Sequence, residues 1–121
     1  MTDVEPTTEI RETPLAAGDQ APSFELPAVL DGGGEITIRL KEAIAKGSVM
    51  LVFYQDDGMP ICTRELQAFA QEYDLLTEAG VQVFGVNTNG LGSHAKFHER
   101  DHFPFPLISD FSGEMVKSYG M

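Results

Sequence analysis

The residues of this 121-residue chain best able to do chemistry lie in one run, Asp56-Asp57-Gly58-Met59-Pro60-Ile61-Cys62-Thr63-Arg64-Glu65, which holds the single cysteine. Pro60 suits entry to a helix, because its missing N–H would have no partner there. Cys62 then falls in the first turn, where free backbone N–H groups and the positive end of the helix dipole favour an anion such as a thiolate. Thr63 and Glu65 add a hydroxyl and a carboxylate beside it. Two readings stand together: a nucleophile at a helix mouth, or a small apolar core residue that contains sulfur. Asp56 and Asp57 are paired acids without a second acid/base element, which reads as a loop. His94, His98 and His102 recur at four-residue steps. Adjacent pairs could ligate a metal, but solvated histidines on a helix are the plainer reading of the spacing, and no metal or cofactor is expected.

Positioning falls to the flanking elements. Residues 49–55 form a continuous apolar run, typical of a buried strand. From Cys62 onward Leu66, Phe69, Tyr73 and Leu76 mark one apolar helix face, ending near Ala79-Gly80. Residues 81–88 read as the next strand. Residues 93–103 read as a helix capped by Ser93 and stopped by Pro104 and Pro106, followed by a short strand at 106–109 and a last helix at 114–119. Upstream, 18–29 reads as an extended edge segment, "DGGG" at 31–34 as a turn rather than a phosphate loop, 35–40 as an alternating strand and 41–47 as a short helix. Strand and helix alternate, so the central strands should be parallel and the fold an open α/β sheet. Residues 1–15, rich in Thr, Glu and Pro, read as a flexible arm before one domain over 16–121.

Composition narrows the function. A net charge of −11 disfavours nucleic acid and anionic membrane surfaces as partners. The longest apolar run is far too short to span a bilayer, and the N-terminus has no secretory pattern, so a cytoplasmic location is expected. One cysteine allows neither an internal disulfide nor a two-cysteine redox motif.

The segments "APSFELP", "VMLVFYQDDGMPICTRE", "GVQVFGVNTN", "SHAKF" and "FPFPLISDFSGEMVKSYG" together resemble a peroxiredoxin (alkyl hydroperoxide reductase/thiol-specific antioxidant type) over about residues 16–121. The nearest branch is peroxiredoxin Q, or bacterioferritin comigratory protein. The resemblance implies a thioredoxin-like fold with a mostly parallel central sheet flanked by helices, lacking the family's C-terminal strands and helix. It implies thiol-dependent reduction of hydrogen peroxide or organic hydroperoxides, with Cys62 attacking the peroxide. Thr63 and Glu65 match the family's catalytic "CTxE", and Tyr54, Met59 and Pro60 fall at substrate-binding positions. Against the family's P-x-x-x-T-x-x-C, this chain has Gln55 and Met59 at the Pro and Thr places, and Gln67 where many members carry a resolving cysteine. The family's arginine follows the segment that ends here at Tyr119-Gly120. The implied partners are the peroxide, an external thiol reductant such as a thioredoxin-like protein, and a second copy paired through an open sheet edge. The alternative is a degenerate, non-catalytic family member that binds a partner.

Overall fold

A computed structural model describes residues 16–120; the arm expected over 1–15 lies outside the described residues, as does Met121. In chain order the elements are β1 (Glu25–Val29), β2 (Glu35–Arg39), α1 (Leu40–Lys46), β3 (Ser48–Phe53), α2 (Pro60–Gln71), α3 (Tyr73–Glu78), β4 (Val81–Asn87), α4 (Leu91–Asp101), β5 (Leu107–Ser109) and α5 (Glu114–Ser118). They build a five-stranded sheet in the order β2-β1-β5-β4-β3. The β3, β4 and β5 strands pair in parallel, through crossovers carrying α2 and α3 and then α4. On the other side β5 pairs antiparallel with β1, and β1 with β2.

This topology corrects two expectations. The 49–55 run, read as a buried strand, forms β3 at the edge of the sheet with its residues only half-buried or exposed. The 18–29 segment is not an edge, because β1 lies between β2 and β5. Pro27 is tolerated there because β5 reaches only Ala28 and Val29, so the proline costs no ladder bond on that side. The "DGGG" segment is the turn of the β1–β2 hairpin, with Gly32 and Gly33 at φ 96° and 91°. The long helix expected after Cys62 divides at Glu72, whose N–H turns back to the Phe69 carbonyl (3.2 Å).

The sheet separates two apolar clusters. One holds Phe24, Ile38, Leu40, Phe84, Met115 and Tyr119. The other, behind the cysteine helix, holds Tyr54, Cys62, Leu66, Phe97, Phe103 and Phe105. Its rings pack closely, with Phe97 edge-on to Phe103 at 4.8 Å between centroids. Gly85 in β4 makes this closeness feasible: a methyl group there would meet Leu107 at 2.8 Å and the Tyr54 ring at 3.3 Å.

Candidate active site

β3 ends at Phe53, and the chain turns through residues 54–59 into α2 at the carboxyl edge of the parallel strands. Ligand sites of open α/β sheets collect at this edge. Pro60 occupies the first helical position, and Met59 is the N-cap, with no side-chain cap bond. The first helical bond runs from the Thr63 N–H to the Met59 carbonyl (2.8 Å). Cys62 is therefore in the opening turn, with its Sγ 4.0 Å from the Met59 sulfur and only 3% of the residue exposed. The sequence placed Cys62 at a helix mouth and offered a buried position as the alternative; it is both.

The loop before it is held by Asp57. Asp57 Oδ1 accepts from the Tyr54 hydroxyl (2.6 Å) and the Asn87 amide (3.1 Å), and Oδ2 from the Ser93 hydroxyl (2.7 Å). His94 Nδ1 lies 2.6 Å from Oδ2, and His94 Nε2 lies 3.0 Å from the Ile108 carbonyl. The buried ring thus bridges the Asp57 carboxylate and the backbone of β5. The Asp57 N–H is held by Asn89 Oδ1 (2.8 Å), and Asn87 and Asn89 bond each other. Burial pushes the Asp57 carboxyl up, but bonds from His94, Tyr54 and Ser93 outweigh it and hold the group below the usual carboxylate range. Burial and the adjacent Asp57 charge push the Tyr54 phenol far up, so it remains a neutral donor.

Thr63 is buried and its hydroxyl accepts from Arg100 Nη2 at 3.2 Å. Arg100 reaches across from α4, stacks over the Phe97 ring (5.5 Å to its centroid) and binds Asp101 through Nε (2.7 Å). Asp101 also receives Gln67, from the place of the family's resolving cysteine, at 3.5 Å. A cavity of about 580 Å³ opens beside the loop, walled by Gly58, Gly92, Phe97 and the cations Lys96 and Arg100. Cys62 is not on its wall.

Of the residues read from sequence, Cys62, Met59, Pro60, Thr63 and Tyr54 come together at the loop-to-helix turn. Glu65 does not: it lies exposed in the second turn, with no hydrogen bond or ion pair among the described residues. Ser93 is no cap, since α4 begins at Leu91 after Gly90, and its hydroxyl serves Asp57 instead. Nor are the histidines a solvated row. His94 and His98 are fully buried, His98 Nε2 meets the Val29 carbonyl (2.8 Å), and only His102 is exposed, paired with Asp31 at 3.0 Å. The spacing was right, but this helix buries the stripe that carries His94 and His98.

These features define a thioredoxin-like peroxiredoxin domain, and comparison with known proteins agrees. Residues 17–121 match the AhpC/TSA family, and the chain belongs to that family. It is 33% identical over 102 residues to peroxiredoxin Bcp of Xanthomonas campestris, covering 82% of this chain and 60% of that protein. It is 32% identical over 107 residues to a chloroplastic peroxiredoxin Q of Triticum aestivum, covering 88% and 47%. The solved peroxidoxin BcpB of Mycobacterium tuberculosis superposes with a TM-score of 0.78 at 31% identity, over 85% of this chain and 64% of that one. The chain spans between 41% and 68% of the length of curated relatives it matches.

Proposed function

We propose that the domain is a thiol peroxidase working through Cys62 in a one-cysteine cycle. The observation that carries this reading is the placement of the one sulfhydryl in the opening turn of α2, behind a proline and beside Thr63 and its Arg100. Unpaired N–H groups at that turn favour an anionic sulfur. The thiolate attacks the terminal oxygen of a hydroperoxide; the S–O bond forms, the O–O bond breaks, and the leaving alkoxide or hydroxide takes up a proton. The resulting sulfenic acid is attacked by an external thiol, releasing water and leaving a mixed disulfide. A second thiol frees Cys62, because these 121 residues contain no other cysteine. The free thiol fits a reducing compartment such as the cytoplasm, and β3, at the edge of the sheet among the described residues, is where a second copy would pair.

Met59 favours a second reading, a family member that binds a partner without turnover: its thioether sits against Cys62 and offers no donor. Stopped-flow oxidation of Cys62 by a small excess of hydrogen peroxide at pH 7, with Cys62→Ser as blank, separates the two. Oxidation orders of magnitude faster than that of free cysteine supports the peroxidase. A rate like free cysteine leaves the second reading.

A further inference from the structure

The cavity of about 580 Å³ beside the Cys62 loop falls within the usual size range of small-molecule sites. Its charge is unusual for this chain, in which 19 acidic residues face 8 lysines and arginines. Two of those cations, Lys96 and Arg100, line the cavity, and the one carboxylate on its wall, Asp57, is already matched by four donors. Lys96 has no ion pair or hydrogen bond among the described residues. Arg100 is fixed by Asp101, Thr63 and the Phe97 ring, which leaves Nη1 without a hydrogen bond among the described residues. Nη1 faces Gly58, where an added methyl group would lie 3.4 Å from it. The rest of the wall is Phe97, Gly58, Gly92, Ser93 and Asp57, and its Phe97 and glycine part suits an aliphatic chain.

We propose that this cavity binds the carboxylate end of a small aliphatic acid whose other end reaches Cys62 across Gly58 and Met59. Arg100 ties the two places together: it lines the cavity and bonds the hydroxyl of Thr63, the residue after Cys62. The inference rests on the peroxidase reading for the role of the acid, which is either the hydroperoxide or the recycling thiol. Binding itself does not depend on that reading.

Binding is tested in Cys62→Ser, which has no peroxide chemistry, by amide NMR titration with hexanoate and with hexan-1-ol at equal ionic strength. Hexanoate should shift Gly58, Gly92 and Ser93 saturably and bind at least ~10-fold tighter than the alcohol. Lys96→Gln and Arg100→Gln should each weaken it several-fold, with Lys96→Arg retaining it. Equal binding of acid and alcohol, shifts elsewhere, or indifference to both glutamine variants overturns the site. In the intact protein, 6-hydroperoxyhexanoate against tert-butyl hydroperoxide tests the oxidising step, and 6-mercaptohexanoate against 6-mercaptohexanol the reducing one. A preference for the acid that depends on Lys96 and Arg100 in one step assigns the carboxylate to that reactant. A preference in neither, in protein that hydrogen peroxide oxidises rapidly, overturns the role as reactant.

Discussion

Met59→Thr is the most informative single change. The N-cap of α2 is a methionine in extended conformation (φ −65°, ψ 130°), a geometry in which threonine caps well. Its thioether lies 4.0 Å from Cys62 Sγ and is an acceptor only, so it can donate nothing to an anionic sulfur or to a departing oxygen. A threonine hydroxyl there would accept from the opening N–H groups of α2 while donating toward the sulfur. One hydrogen bond to a charged group is worth about 1.5–3 kcal/mol, which corresponds to a rate gain of roughly 10- to 160-fold. Stability should change little, because the cap returns about 1 kcal/mol against a similar loss of apolar contact from a half-buried side chain. Stopped-flow oxidation by hydrogen peroxide at pH 7 measures the gain. Met59→Leu serves as control, removing the sulfur without supplying a hydroxyl, and should behave like the parent. If Met59→Thr melts normally yet is oxidised within about threefold of the parent, well below the gain expected from one hydrogen bond, the missing hydroxyl is not what limits this site.

His94→Ala should cost about 1.5–3 kcal/mol, the usual worth of a hydrogen bond to a charged group, read as a lower urea midpoint. The Asp57 carboxyl is held low in the folded chain, so its stabilisation is complete above the ordinary carboxylate range and is lost as pH falls through the folded value. Acid unfolding monitored by circular dichroism should accordingly be less steep in Asp57→Asn. Burial likewise holds the His98 imidazole below its ordinary range, so on acidification through about pH 6.5 the unfolded chain takes up a proton that the folded chain refuses. Stability should fall between about pH 7 and 5.5, and urea titrations of His98→Leu should show a shallower fall. Gly85→Ala places a methyl group 2.8 Å from Leu107; overpacking of this kind costs about 1–3 kcal/mol, which calorimetry would register as a lower Tm.

Local signals carried much of this protein. Pro60 before Cys62 marked the start of α2 and the glycine run the hairpin turn; the alternation of Ile36, Ile38 and Leu40 found β2 but not its buried face, since Ile36 is exposed and Leu40 begins α1. The misses share one cause: partners distant in the chain. Asp57 reads as a loop acid until Asn87, Asn89, Ser93 and His94 close around it. Arg100 gives no sequence signal toward Thr63, because only the packing of α4 beside α2 joins residues 37 positions apart. The 18–29 segment looked like an edge because its prolines, Pro22 and Pro27, suit one, and the second neighbour of β1, β5, arrives some eighty residues later. Histidine spacing predicted a shared helix but not which side of it faces the sheet.

The closure around Asp57 also orders events as the chain folds. Its partners Asn89, Ser93 and His94 lie 32, 36 and 37 residues downstream, and His94 in turn needs the Ile108 carbonyl of β5. Each contact closes a loop whose entropy must be lost before the bond is gained. Adjacent parallel strands cannot form by a local turn, so the anchorage of residues 54–59 waits for both helical crossovers to dock. A chain that has made β3 and α2 but not β4 and α4 therefore carries Cys62 at the start of a helix whose preceding loop has no anchor for Asp57. The sulfur acquires its fixed surroundings last, once the strand that completes them is in place.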